Sequence, residues 1–256
     1  MDFKYFGKTE NAKLLLIPGL GVSYEIFSPL ISRLEKDFCI IVVQVDGFIL
    51  NKYSHFTSIH EQANQIINHI NHTCEGHIQC AYGLSLGGKI LSNILEKNQI
   101  VIEHCILDAA PLLPLPKWLV YPFSYLQGIN VKMCYHWSTL FKLFFSSHYF
   151  ETLFNECLKI YPCGGAQAII KGYQSIYTNK LLSIPDTDIH YWYGTKEAFF
   201  AKAQIKHLLT LHKDTHIEAF KQLNHGQLLI DCPEKIVYLI KKICSLTLFD
   251  ESSIII

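Results

Sequence analysis

The sequence has little charge, and its charges balance. Charged residues make up 17% of the 256 residues, and 22 lysines and arginines face 22 aspartates and glutamates. A strongly basic chain would suggest nucleic acid or an anionic membrane surface as a partner, and this balance does not. We therefore expect no nucleic-acid partner, and a small, neutral substrate fits the composition better.

The sequence also lacks the signals of export, membrane insertion and metal binding. Its first 20 residues contain no basic-then-apolar signal peptide, and no run of 18 apolar residues occurs, so we expect neither secretion nor a membrane span. The nine cysteines are odd in number and scattered, without CxxC or Cys/His ligand spacing. We interpret them as reduced, mostly buried thiols of a cytoplasmic protein. The sequence carries no signal for an oligomeric state.

What the sequence does contain is an alternation of short apolar runs and longer helical patterns. Several runs are continuously apolar, as in parallel strands covered on both faces, and six are predicted to be strands: 13–17, 39–45, 78–82, 101–107, 189–193 and 216–220. Ser58 and Glu61 have the S-x-x-E spacing of a capping box, and Pro233 suits the first turn of a final helix. The alternation predicts an α/β fold with a mostly parallel central sheet flanked by helices, whose ligands bind where strands end.

Residues 111–185 interrupt this alternation. They contain no strand-like run, but many aromatic residues in several short helical patterns. Such side chains are usually buried in a core, but an insertion has less core to fill. We predict that residues 111–185 form a helical lid over the strand ends, and that residues 1–110 and 186–256 form the core domain.

The sequence GLSLGG at residues 83–88 lies between a predicted strand and a helical pattern. A bare GxSxG is weak evidence, because glycine and serine are common and a glycine-rich turn can simply expose a serine. Between a strand and a helix, however, it has the form of a nucleophile elbow, a turn so tight that its flanking positions must be glycine. We therefore predict Ser85 as a catalytic nucleophile.

A serine nucleophile needs a base to take its proton. Of the 13 histidines, 12 have an ordinary explanation in a helix, a strand, a loop or the predicted lid. His225 lies in a loop after the last predicted strand and before the final helix, where the fold can bring an imidazole to the strand ends. We predict His225 as the base, with a structural loop histidine as the alternative.

These motifs together resemble the α/β-hydrolase-fold family of serine hydrolases, which includes esterases and lipases. The resemblance runs along nearly the whole chain and rests on an ordered series of segments: LLLIPGLG, VDGF, YGLSLGG, ILDAAP, a helical insertion, YGTKE and NHGQLL. In that family the catalytic triad follows the order serine, acid, histidine. The resemblance implies Glu197 as the acid, because it lies just past a glycine after the strand that follows the lid. Asp108 is the competing position, whereas Asp186 and Asp188 precede their strand and fit less well.

The resemblance also implies an oxyanion hole built from backbone N–H groups. One donor would be Leu86, directly after the nucleophile, and the other Leu20 in the loop PGLG. Many relatives have a histidine before the first glycine of that loop, where this chain has Pro18.

The expected reaction is hydrolysis of a carboxylic ester of a small, fairly apolar substrate, through an acyl-enzyme on Ser85. It requires no metal and no organic cofactor. A thioesterase or an acyltransferase would use the same triad, and the fold also serves non-catalytic proteins that bind a small ligand. These alternatives stay open at the level of sequence.

Overall fold

A seven-stranded sheet forms the centre of the computed structural model, which describes residues 1–141 and 147–245. Its spatial order is β1-β3-β2-β4-β5-β6-β7, and every neighbouring pair is parallel except β1 with β3. The strands are β1 (Asp2–Phe6), β2 (Ala12–Ile17), β3 (Phe38–Gln44), β4 (His77–Leu84), β5 (Val101–Asp108), β6 (Asp188–Gly194) and β7 (His216–Phe220).

Helices cover both faces of this sheet. In the described residues they are α1 (Ser28–Leu34), α2 (Ile59–Thr73), α3 (Leu86–Lys97), α4 (Lys117–His136), α5 (Ser138–Phe141), α6 (His148–Ile176), α7 (Ala198–Leu211), α8 (Gln227–Asp231) and α9 (Pro233–Ile243). Side chains alternate along each strand, so Leu15 packs with α2 and α3 on one face while Leu16 packs with α1 and α9 on the other. This double burial explains why the strands are continuously apolar.

The structure confirms the predicted fold class, and all six predicted strands are present within about two residues of their expected ends. Strand β1 was not among the predicted strands. Among the described strands it lies at the edge of the sheet and pairs only with β3, and part of every residue in it is accessible to solvent, so it lacks the apolar run that identified the others.

In the described residues, the segment between β5 and β6 contains three helices, α4, α5 and α6, called the inserted helices below. Helices α4 and α6 pack against each other, and α6 bends at Gly165, whose φ of 61° is not helical. The role of this segment as a lid remains a prediction. Within the described ranges, no helix has both the length and the apolar composition that a membrane crossing requires.

Ser58 caps α2 as predicted, because its Oγ accepts a hydrogen bond from the N–H of Glu61 at 3.2 Å. The Glu61 side chain accepts instead from Gln65, so the capping box is only half formed in the described part of the chain. The cap satisfies one of the N–H groups that the first turn of a helix leaves without a partner.

We expect Ser58→Ala to lower the free energy of unfolding by about 1 kcal/mol, because that N–H loses its acceptor. Urea unfolding followed by circular dichroism measures the change. Ser32→Ala is the matched control, since this exposed hydroxyl bonds only a carbonyl within α1. Equal losses in the two variants would contradict the capping role.

Candidate active site

Ser85 forms the turn between β4 and α3 by itself. Strand β4 ends at Leu84 and α3 begins at Leu86, so the chain reverses within one residue. Ser85 has φ 52° and ψ −107°, a conformation that costs free energy for any residue with a Cβ. Its N–H donates to the Asp108 carbonyl at 2.8 Å, which ties the turn to the end of β5. Within the described residues the Ser85 hydroxyl makes no hydrogen bond.

The glycines around Ser85 are required by close backbone contacts. A Cβ on Gly87 would lie 2.1 Å from the Ile17 carbonyl oxygen, and a Cβ on Gly83 would lie 2.6 Å from the Gly87 oxygen. Both distances are far below van der Waals contact, so only glycine lets α3 begin directly against β2 and β4. The GxSxG pattern therefore has a steric cause in this chain.

Glu197 and His225 form a hydrogen-bonded pair. Glu197 ends the short 3-10 turn Thr195–Glu197 after β6, and His225 follows β7. His225 Nδ1–H donates to Glu197 Oε2 at 2.6 Å, although 28 residues separate the two in sequence. The ring's Nε2 is thereby left free for another partner.

The loops that carry this pair are packed against each other. The N–H of Lys196 donates to the Leu223 carbonyl at 3.1 Å, and a Cβ on Gly194 would lie 2.3 Å from that same oxygen. The other oxygen of Glu197 accepts from the N–H of Gly194 at 3.4 Å. The glycine and these backbone bonds hold the carboxylate in place for His225.

The surroundings of His225 favour its protonated form. Burial lowers the pKa of His225. The hydrogen bond to Glu197 and the charges of Glu197 and Asp108 together raise it by more than burial lowers it, so the net pKa lies above its ordinary value. The side chain is 48% exposed and lines a pocket. A histidine in this setting is a stronger proton acceptor than a free imidazole.

Asp108 lies close to His225 without bonding it. Its side chain is buried at the end of β5, and its Oδ2 accepts from the Tyr82 hydroxyl at 2.5 Å. Burial raises the pKa of Asp108 to about 6, while the bond from Tyr82 and the charge of His225 offset part of that rise. In the described part of the chain, the carboxylate that bonds His225 is Glu197.

Ser85, His225 and Glu197 line one cavity of about 520 Å³. This volume is typical of small-molecule sites. Leu20 contributes to the wall, and the inserted helices supply mostly apolar and aromatic side chains: Val131, Tyr149, Leu153, Cys157, Ile169, Tyr173 and Ile176. Leu86 does not line the cavity with its buried side chain, but its N–H belongs to the first turn of α3, beside Ser85.

No family model matches the sequence, and no curated protein sequence matches it either. Solved structures do match. An α/β-hydrolase family protein from Desulfitobacterium hafniense is 19% identical, with a TM-score of 0.78 over 94% of this chain and 99% of that one. A carboxylesterase from Nitrososphaera gargenis is 14% identical, with a TM-score of 0.76 over 95% and 93%. An enol-lactonase from Burkholderia xenovorans LB400 is 14% identical, with a TM-score of 0.72 over 95% and 96%.

The chain has the α/β-hydrolase fold. In this fold the nucleophile, acid and base come from loops after different strands. The three predicted residues lie after β4, β6 and β7 in that order, and they meet at one cavity.

A buried carboxylate that the sequence analysis missed holds the loop that carries Leu20. Glu156 on α6 accepts from the N–H and the hydroxyl of Ser23, at 2.8 Å and 2.6 Å, and from Lys159 at 2.7 Å. Only 4% of its side chain is exposed. The residues are 133 positions apart, so no local pattern links them. Other polar residues, among them Asn155 and Lys159, lie close to Glu156 in the sequence, so its burial had no local signal.

The raised pKa of Asp108 predicts a specific pH dependence of stability. The pKa of Asp108 moves from 3.8 to about 6 on folding. The stability that this group contributes is therefore fully present below pH 3.8 and is lost as the pH rises through 6. Asparagine cannot ionise at all. The free energy of unfolding of Asp108→Asn, measured relative to that of wild type, should therefore rise by about 2 kcal/mol from pH 4 to pH 7.

Urea unfolding at four or five pH values tests this expectation, with the same substitution at the exposed Asp186 as the matched control. A difference between Asp108→Asn and wild type that stays constant with pH would contradict it.

Proposed function

We propose that the protein is a serine hydrolase that cleaves a carboxylic ester of a small, fairly apolar substrate. The observation that carries this proposal is the 2.6 Å hydrogen bond between His225 Nδ1 and Glu197 Oε2, beside a serine on a strained turn at the same cavity. A carboxylate on Nδ1 fixes the tautomer that leaves Nε2 able to accept the serine proton.

In the proposed mechanism, His225 takes the proton of Ser85 as Oγ attacks the ester carbonyl carbon. Glu197 stabilises the imidazolium that forms, and the N–H groups of Leu86 and Leu20 stabilise the negative oxygen of the tetrahedral intermediate. Collapse of this intermediate breaks the bond to the alcohol, which leaves with the proton from His225. Water then attacks the acyl-enzyme by the same route and releases the acid.

The inserted helices would act as the lid in this scheme, with residues 111–185 as the lid domain and residues 1–110 and 186–256 as the core. Side chains of α4 and α6 supply much of the cavity wall, and they are mainly apolar or aromatic. Such a wall favours an apolar acyl or alcohol group over a charged one. The names of the carboxylesterase and the enol-lactonase among the similar structures support ester chemistry.

Ser85 is tested directly with a fluorophosphonate probe, which labels an activated serine. We expect the wild-type protein to be labelled and Ser85→Ala to be inert, while the control Ser32→Ala labels as wild type does. A panel of esters and thioesters graded by acyl length then gives the substrate class. A folded wild-type protein without label, or label that survives Ser85→Ala, would refute the proposal.

The two carboxylates near His225 are separated by kinetics. Glu197→Gln should lower kcat by about 10³-fold or more, because the glutamine cannot stabilise the imidazolium, whereas Asp108→Asn should change kcat less than about tenfold. In wild type, kcat/KM should rise with pH through the raised pKa of His225, and Glu197→Gln should move this rise to lower pH. The reverse ranking of the two variants would assign the role to Asp108.

A further inference from the structure

Four ionisable side chains from three adjacent strands meet at the edge of the sheet opposite Ser85. Asp188 begins β6, His190 follows on the same face, and His104 on β5 and His216 on β7 are their partners in register. Asp188 Oδ2 lies 2.8 Å from His104 Nδ1 and 3.0 Å from His190 Nε2, while Asp188 Oδ1 lies 3.5 Å from His216 Nε2. The proposed reaction uses none of these groups.

Three of these side chains have the spacing of metal ligands. One ligand atom each from Asp188, His190 and His216 lies within 4.8 Å of the other two. Ligands at 2.0–2.1 Å around a tetrahedral Zn²⁺ lie about 3.4 Å apart. His190 Nε2 lies 3.0 Å from Asp188 Oδ2, and His216 Nε2 lies 3.5 Å from the other carboxylate oxygen, Oδ1. The His216 side chain is 63% exposed, so its ring can turn to close the remaining gap.

The groups around the three ligands also suit a metal ion. A histidine bound to a metal through one nitrogen usually donates its other N–H to a carboxylate or a carbonyl. His190 is buried, and its Nδ1 has no hydrogen-bond partner in the described part of the chain. The carboxylate oxygen Oε1 of Glu218 lies 3.9 Å from this nitrogen. Binding through Nε2 would place the proton on Nδ1, facing Glu218, while the N–H of His104 holds Asp188.

We propose that Asp188, His190 and His216 bind one divalent transition-metal ion, with Zn²⁺ as the best match to two imidazoles and a carboxylate. The ion joins the first residues of β6 and β7. The opposite ends of these two strands lead into the loops of Glu197 and His225, so the site braces the pair of strands that carry them. This inference does not depend on the proposed hydrolase activity.

The test titrates Zn²⁺ into tag-free, chelator-treated protein by isothermal calorimetry, with Co²⁺ absorption to report tetrahedral geometry. We expect one ion per chain and a rise in the thermal unfolding temperature. His216→Ala should weaken binding by about 100-fold or more and abolish that rise. Because His216 is exposed, this variant should fold even if Asp188→Asn does not.

His77→Ala is the matched control, since His77 pairs with Glu103 at the same edge of the sheet, at 2.8 Å. This pair is outside the proposed ligand set, so the variant should bind as wild type does. Wild-type protein that takes up no stoichiometric Zn²⁺ would overturn the site. Binding that is equal in His216→Ala and His77→Ala would also overturn it, because His216 would then not be a ligand of the ion.

Discussion

The close approach of α3 to the sheet is the constraint on which the rest of the site depends. Its first turn lies so near to β2 and β4 that Gly83 and Gly87 have no room for a side chain. This contact forces Ser85 into a positive φ and places it at the amino end of a helix, where backbone N–H groups face outward. The packing of the surrounding strands, whose side chains are buried on both faces, offsets the free-energy cost of the Ser85 conformation.

Glu197 and His225 line the same cavity as Ser85 because parallel strands end at the same edge of the sheet. The turns after β6 and β7 pack against each other at the Leu223 carbonyl. This contact brings Glu197 and His225, which are 28 residues apart in sequence, within hydrogen-bond distance. The inserted helix α6 contacts the loops that carry His225 and Ser23. Its Tyr149 hydroxyl donates to the His225 carbonyl at 2.7 Å, and its Glu156 holds Ser23. The insertion therefore shapes the cavity and also braces the loops on either side of it.

Much of the fold and part of the site could be predicted from the sequence, because they depend on local patterns. The buried strands have apolar runs, and GLSLGG has a steric requirement that only glycine meets. The edge strand β1, the buried Glu156 and the cluster around Asp188 were not predictable, since each depends on residues distant in the chain. The same reasoning explains how solved structures only 19% and 14% identical share the fold while no family model matches the sequence. Backbone contacts at a few positions hold the site, and they leave most side chains free to vary.

The buried pairing of Tyr82 with Asp108 has a consequence for how this site can change during evolution. Tyr82 holds a second carboxylate near His225, at the end of β5, without letting it bond the imidazole. If the proposed mechanism holds, a lineage that lost Glu197 would still have the Asp108 carboxylate near His225. Substitution of Tyr82 would remove the hydrogen bond that holds Asp108. The role proposed for Glu197 could then pass from β6 to β5 in two substitutions, and a carboxylate would stay near the imidazole after each of them.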